Sequence, residues 1–357
     1  VRIFTDKEGK KGDGIHLGLT TEGEVADRQG RMKKQVLYYV RRVSGGPVML
    51  VGGEVVKDFP REPFKLRKKI VIDYDVDHIT RLKLETGAEN IDIRRLGKKK
   101  WEMKAARSAG TVGKAPVVPS RHKHIDDVLW DIKWSNSVEF VDEPGEDLAS
   151  YGLGAKAVRR VSLWIKKKKD GPEVKRSFEM GALNDEGRAY GRMEGKKRLF
   201  AFAKKDFGNI FKSSFYLSDR RFTPFEKEED IVRVRVEFPS GAEAAFRREG
   251  EEWIAEKPKD EKASTGQVDG FLNMMKDLEY EGDAKGGGDF EKFRARVFLE
   301  HKNGKKFPAV IFAGGGGKKI SFVGQGGKTY RVKTALIGPN LPASPATLMV
   351  EKKKPKN

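Results

Sequence analysis

The chain has 357 residues, 35% of them charged, with no cysteine, five histidines and a formal net charge of +20. The missing cysteine excludes disulfides, thiol nucleophiles and cysteine-ligated metal centres, though it leaves the compartment open. The length suits two or three domains, the charged fraction implies much surface per unit of core, and the basic excess favours an anionic partner or surface. No apolar run approaches the roughly 20 residues that cross a bilayer, and no signal peptide is visible. The chain opens on Val1 within what reads as a strand, so any signal or anchor is expected upstream of it.

In chain order, Arg2, Ile3 and Phe4 with the turn Gly9-Lys10-Lys11 resemble Arg296, Val297 and Phe298 with Gly304-Lys305-Lys306. Leu37 to Val40 match Leu199 to Phe202 in position, which makes 1–69 the back half of a first unit. Residues 70–103 read as three strands: Ile79, Leu82 and Leu84 alternate with basic residues, Ile91 to Arg94 alternate too, and a turn at Gly97 precedes Trp101. A loop from Lys104 to His124 then leads to a helix whose Ile125, Val128, Leu129 and Ile132 form one apolar stripe, with Ser120 as a loose cap. Strands follow at Val161 to Ile165, Ser177 to Met180, Ala189 to Met193 and Arg198 to Ala203.

The pattern then returns. Ile79 to Leu84 and Trp101 recur as Ile231 to Val236 and Trp253, 152 residues later. The helix stripe recurs as Val268, Phe271, Leu272 and Met275, now 143 residues later, because the loop before the helix is nine residues shorter. Asp126 and Lys133 recur as Asp269 and Lys276. Further strands are expected at Arg296 to Leu299, Ala309 to Phe312, Ile320 to Val323 and Thr329 to Val332. The expected fold is α+β: an elongated series of antiparallel sheet units, each of about three strands, one helix and about four strands. The divisions are the partial first unit 1–69, a second unit 70–221, a third, degenerate unit 222–350, and a basic tail 351–357.

Several motifs invite chemistry. Gly324 to Thr329 ends in Gly-Lys-Thr, but Phe322 stands where a phosphate loop needs glycine, and a strand follows instead of a helix; Ala313 to Lys319 fails likewise, and both read as hairpin turns. Asp73, Asp75 and Asp77 alternate like a calcium loop, yet His78 and Leu84 occupy the positions for its glycine and bidentate acid, so the triplet reads as an acidic strand entrance. His122 and His124 flank Lys123 without a third ligand, and an exposed basic loop is the simpler reading. Lys166 to Lys169 read as a charged hairpin, and Trp101 and Trp253 as core anchors. No catalytic, cofactor-binding or metal-ligating residue is assigned.

Tyr151-Gly152-Leu153 lies between helix and second sheet, followed by a strand, a hairpin around Gly181 and an aromatic strand. Arg-bearing junctions lead into the next unit, at Leu66-Arg67-Lys68 and at Asp219-Arg220-Arg221. These features resemble the repeat of the bacterial domain-of-unknown-function family 4340 over nearly the whole chain, although Gly282 to Phe290 of the third unit has no Tyr-Gly-Leu. The resemblance implies a bacterial cell-envelope protein with an N-terminal membrane anchor and extracytoplasmic repeats, often encoded beside ABC-transporter and gliding-type auxiliary genes. It supplies no catalytic residues.

The expectation is a non-enzymatic scaffold or accessory subunit on the periplasmic side of the envelope. Its partners would be proteins of a membrane-associated complex, with an anionic lipid surface as a further candidate; no small-molecule substrate is expected. The alternative is a polyanion-binding protein that uses the basic surface for nucleic acid, acidic glycan or lipid head groups. Nucleic acid is the weaker candidate, because no RNP-type aromatic strand, zinc knuckle or helix-turn-helix appears.

Overall fold

The computed structural model describes residues 2–4, 12–26, 30–53, 67–107, 115–153, 159–168, 171–284, 288–314 and 319–350. The turn expected at Gly9 to Lys11, Leu66 of the first junction, and the basic tail lie outside them. The architecture is α+β and built from antiparallel sheets. The first sheet has the order β1 (Arg2–Phe4), β2 (Gly12–Ala26), β3 (Met32–Arg42), β4 (Met49–Gly52). Leu37 to Val40 lie in β3, the third strand of this sheet rather than its last, so the expected match to Leu199 to Phe202 is displaced by one strand.

The second sheet begins with a meander of β5 (Ile79–Glu85), β6 (Glu89–Gly97) and β7 (Lys100–Arg107), edged by β8 (Val117–Val118). Helix α1 (His122–Trp134) and β9 (Glu139–Val141) come next in the chain. Strands β10 (Arg159–Ile165), β11 (Val174–Leu183), β12 (Arg188–Met193) and β13 (Leu199–Ala203) complete the sheet in the order β8-β7-β6-β5-β10-β11-β12-β13-β9. Alternation explains the wet and dry faces. Leu82, Leu84, Ile91, Ile93, Val161 and Leu163 turn inward to share one core with Ile125, Val128, Leu129 and Ile132 of α1. Arg81 and Lys83 take the other face, where Arg81 pairs with Asp92 across the strands at 2.7 Å and lies 4.4 Å from the Trp164 ring.

The short helices α2 (Lys204–Ile210) and α3 (Ser214–Leu217) lead to the third sheet, which comprises β14 (Ile231–Glu237), β15 (Glu243–Glu249), β16 (Glu252–Lys257), β17 (Gly282–Asp283), β18 (Ala295–His301), β19 (Val310–Phe312), β20 (Ile320–Gln325) and β21 (Lys328–Lys333). Its order is β16-β15-β14-β18-β19-β20-β21-β17, which matches the second sheet strand for strand apart from β8. Helix α4 (Thr265–Asp277) buries Val268, Phe271, Leu272 and Met275 in its core. The third sheet closes with α5 (Thr334–Ile337).

Two local expectations are corrected. Ser120 does not cap α1: its hydroxyl donates to the Trp101 carbonyl, and Arg121 stands at the cap position without a side-chain capping bond. Gly181 is no hairpin turn but an interior residue of β11, at a bulge between Met180 and Leu183. The turn is Asn184 to Gly187, where the Asn184 side chain accepts from the Arg188 amide.

Candidate functional site

The densest set of buried charged groups among the described residues lies where the second sheet hands over to the third. The connecting segment binds both sides. Ser218 forms an isolated bridge with Ser120 just before α1, and the Asp219 amide donates to the Pro119 carbonyl. Three residues on, Arg221 forms the same kind of bridge with Glu279 just after α4.

This arrangement gathers side chains from four places. Glu279 accepts hydrogen bonds from Arg121 and, at 2.8 Å, from Arg220, and the His124 imidazole Nε2 lies 3.3 Å from it. Arg121 also bonds Asp277, and Arg220 donates to the Tyr280 carbonyl at 2.6 Å. His124 Nδ1 lies 2.8 Å from the Tyr216 carbonyl, and the two rings stack at 4.8 Å. Aromatic rings wrap the cluster: Arg220 lies over Phe215, and Tyr280 packs against Phe215, Phe222 and Tyr330. Next to it, Arg221 grips Asp219 with two parallel bonds of 2.8 and 2.6 Å and donates to the Phe225 carbonyl.

The electrostatics follow from burial. Burial pushes the His124 imidazole below its ordinary value, and the charges of Arg121 and Arg220 add to the effect. Burial also lowers the Arg220 guanidinium. Burial opposes ionisation of Asp219, but the Arg221 bonds outweigh it and hold the carboxyl low. Glu279 meets two guanidinium groups and an imidazole, so its charge is balanced within the cluster. Breaking a buried pair of this kind costs about 3–5 kcal/mol, because the stranded charge cannot be hydrated.

A second arrangement occurs twice. Arg95 lies 4.2 Å from the Trp101 ring and donates to the carbonyls of Ile79 and Val76. Arg248 lies 4.4 Å from the Trp253 ring and bonds the carbonyls of Ile231 and Glu228. Each arginine staples the turn before its first strand to the tryptophan after its second. The two versions differ at the acid. Asp269 accepts directly from Trp253 Nε1 at 2.9 Å and Arg248 at 2.7 Å. In the second sheet Trp101 Nε1 donates instead to His122 Nδ1, and His122 Nε2 lies 2.9 Å from Asp126. Asp126 Oδ1 is buried without a partner, and burial raises its carboxyl above the ordinary range.

The sequence motifs fall as follows. Trp101 and Trp253 are buried anchors. His122 and His124 are not an exposed loop: both lie in the first turn of α1 with unlike partners, because the helix starts earlier than its apolar stripe. Asp73 pairs with Lys68, and Asp75 accepts from the Asp77 amide to start a short 3-10 turn, so the aspartates do not converge. No group of three His, Cys, Asp or Glu that could hold a metal occurs among the described residues. Gly326 and Gly327 form the two-residue β20–β21 turn with φ of +57° and +77°, which requires glycine. Lys166, Lys167 and Lys168 lie at the β10–β11 connection; Lys169 lies outside the described residues, as do 315–318 of the other glycine run.

Tyr151-Gly152-Leu153 docks on β11. Gly152 has φ +71°, Leu153 is buried, and Tyr151 packs edge-on against Tyr190. A Cβ on Gly181 would come within 2.6 Å of the Gly152 carbonyl oxygen, so both glycines are demanded by one close approach. The third sheet lacks the tyrosine and leucine; there a Cβ on Gly288, at φ +80°, would meet the Ala313 side chain rather than a facing carbonyl. Sequence reading missed Arg95, Arg248, Arg121 and Glu279. The first two carried only a blurred signal, since Arg95 precedes its tryptophan by six residues and Arg248 by five, one residue out of step with the 152-residue offset. Arg121 and Glu279 occur once each and meet only through the chain's return.

No helix among the described residues is long and apolar enough to cross a membrane. The family model described as Domain of unknown function (DUF4340) matches residues 111–293, just over half the chain and the stretch that carries the junction. No curated protein matches. Two crystal structures of the Pseudomonas aeruginosa DNA polymerase sliding clamp, one of them with ligand, align over 88% of this chain and 76% of theirs. Their identities are 11% and 9% and their TM-scores 0.15 and 0.13, too low to carry an argument.

Proposed function

The chain belongs to the DUF4340 family, and from that premise we propose that it is a non-enzymatic scaffold or accessory subunit of a membrane-associated assembly in the bacterial cell envelope. In this reading the second and third sheets are two tandem copies of one unit, 70–221 and 222–350, and the first sheet is the rear of another. The protein works on the extracytoplasmic side, held by an anchor, and presents its sheets to protein partners.

The observation that carries the reading is the junction. Its buried charges are spent on each other, with Glu279 satisfied by Arg121 and Arg220. A scaffold needs that expense, because fixed geometry between binding surfaces lowers the cost of ordering on association. An enzyme would instead keep one of those groups free toward a cleft. The test is purification of the full-length protein from native membranes in mild detergent. Elution in one large species of constant stoichiometry is expected; elution as a free monomer from every fraction overturns the proposal.

A further inference from the structure

The two large sheets differ in chemistry at one end. In the second sheet β10 runs from Arg160, opposite Glu85, to Ile165, opposite Ile79, so the β10–β11 connection lies beside the start of β5. The β6–β7 turn lies at that same end, since Arg94 pairs with Arg81 just before it. The β12–β13 turn opens on the same side, where Glu194 bonds back to Ser177 and pairs with Lys175. These three connections carry Lys98, Lys99 and Lys100, then Lys166, Lys167 and Lys168, then Lys196 and Lys197. All but Lys166 are exposed.

Beside them stand two large apolar side chains in water. Trp130 and Trp134 on α1 are 43% and 59% exposed, stacked on each other at 6.3 Å, with the Lys133 ammonium 4.8 and 5.4 Å from their rings. Their place at the basic end follows from Tyr74, whose hydroxyl donates to the Leu129 carbonyl of α1 at 2.5 Å and which lines one cleft with Lys167 and Lys168 of the β10–β11 connection. The third sheet keeps lysines at its β18–β19 connection (Lys302, Lys305 and Lys306) but differs at the other two features: its β15–β16 turn carries Gly250, Glu251 and Glu252 where the β6–β7 turn has three lysines, and α4 carries Asn273 and Asp277 where α1 has the tryptophans.

We infer that this end of the second sheet docks on an anionic phospholipid bilayer, with the lysines of the three connections against head groups and Trp130 and Trp134 at the polar–apolar boundary. Lysine supplies long-range attraction to anionic lipid, and an amphipathic indole is most stable at that boundary. Separate protruding turns suit a plane better than the continuous basic groove that tracks a nucleic acid. The indoles also stack on each other and on Lys133, which leaves them poorly placed to sandwich a base. The inference deepens the scaffold reading by naming its membrane-facing end, and rests on it for a bilayer close by. Vesicle binding by the purified protein and partner retention in native membranes are separate measurements, so either can fail alone.

The test uses the full chain with vesicles of phosphatidylcholine, with and without phosphatidylglycerol, read by co-sedimentation and tryptophan emission. Binding only to the anionic vesicles, weakened by salt and accompanied by a blue shift, is expected. Replacing Lys98, Lys99 and Lys100 by the residues of the third sheet, K98G, K99E and K100E, lowers affinity by at least about fivefold per lysine lost. W130N with W134D abolishes the blue shift, while K98R, K99R and K100R together retain binding. Lys305→Ala and Lys306→Ala, on the third sheet, leave binding unchanged. Because the exchanged residues already occupy the same places in the third sheet, the variants are expected to fold, and circular dichroism checks this. Equal binding to both vesicle types, no binding to either, or an oligonucleotide that displaces the protein from anionic vesicles overturns the inference.

Discussion

The second and third sheets share a skeleton and diverge in chemistry. Both place an arginine over a tryptophan and bind the carbonyls of the preceding turn, through Arg95 with Trp101 and Arg248 with Trp253. Both also retain a cross-strand ion pair at one place, Glu85 with Arg160 and Glu237 with Arg296. They differ in how the acid behind the tryptophan is satisfied, in what the helix shows to solvent, and in the charge of the turn before the tryptophan. What is common to both builds the fold; what differs is free to serve binding.

That contrast can be broken at the junction. Glu279→Gln strands Arg220 without a counter-charge, leaves Arg121 with Asp277 alone, and should cost about 3–5 kcal/mol, splitting one unfolding transition into two in calorimetry. A single unsplit transition at the original temperature would show that the two sheets are not coupled there.

The tryptophan–acid pair offers a smaller, directional test. Asp269→Ala removes charge-assisted bonds to Trp253 and Arg248 and should cost about 1.5–3 kcal/mol in urea unfolding. Asp126→Ala should cost less, because its Oδ1 has no partner and burial already disfavours its charge. Equal losses would mean that the histidine relay makes no difference.

Gly181→Ala forces a Cβ against the Gly152 carbonyl and should cost about 1–3 kcal/mol by overpacking. The third sheet already accepts alanine at the matching place, Ala313, because a different segment lies over it.

The smallest effect concerns pH. His124 lies among Arg121, Arg220, Glu279 and Asp127, and its folded-state pKa is depressed. The unfolded chain therefore takes up the proton first. The stability this ring contributes is full above its ordinary value of about 6.5 and falls as pH drops from there toward the folded value. Unfolding midpoints measured across that window should decline for the wild type and flatten in His124→Gln.

Much of this fold was legible because alternation and a helical stripe mark both large sheets and their helices. The strands at Ile79 and Ile231, the stripes on both helices and the anchors Trp101 and Trp253 were all readable from spacing alone. The start of α1 was not, since His122, Lys123 and His124 carry no apolar signal, and two histidines in a helical turn look the same in sequence as two in a loop. Gly181 was misread for a similar reason: a glycine required by close backbone approach looks like one required by a turn. The junction was half legible. Asp219-Arg220-Arg221 stood out as a charged run, but nothing local points to Glu279 as the partner of Arg220 across 59 residues. Trp130 and Trp134 were hidden by position, because tryptophans next to an apolar stripe look like part of the core.

The connecting segment has a mechanical consequence. Ser218 is tied to Ser120 before α1 and Arg221 to Glu279 after α4, only three residues apart. A chain of that length reaches no more than about 11 Å when fully stretched. Tension drawn along the polypeptide therefore meets a short link tied at both ends and loads its hydrogen bonds at once. The protein should carry a pull from one sheet to the next as a strut carries it, with no elbow to straighten first.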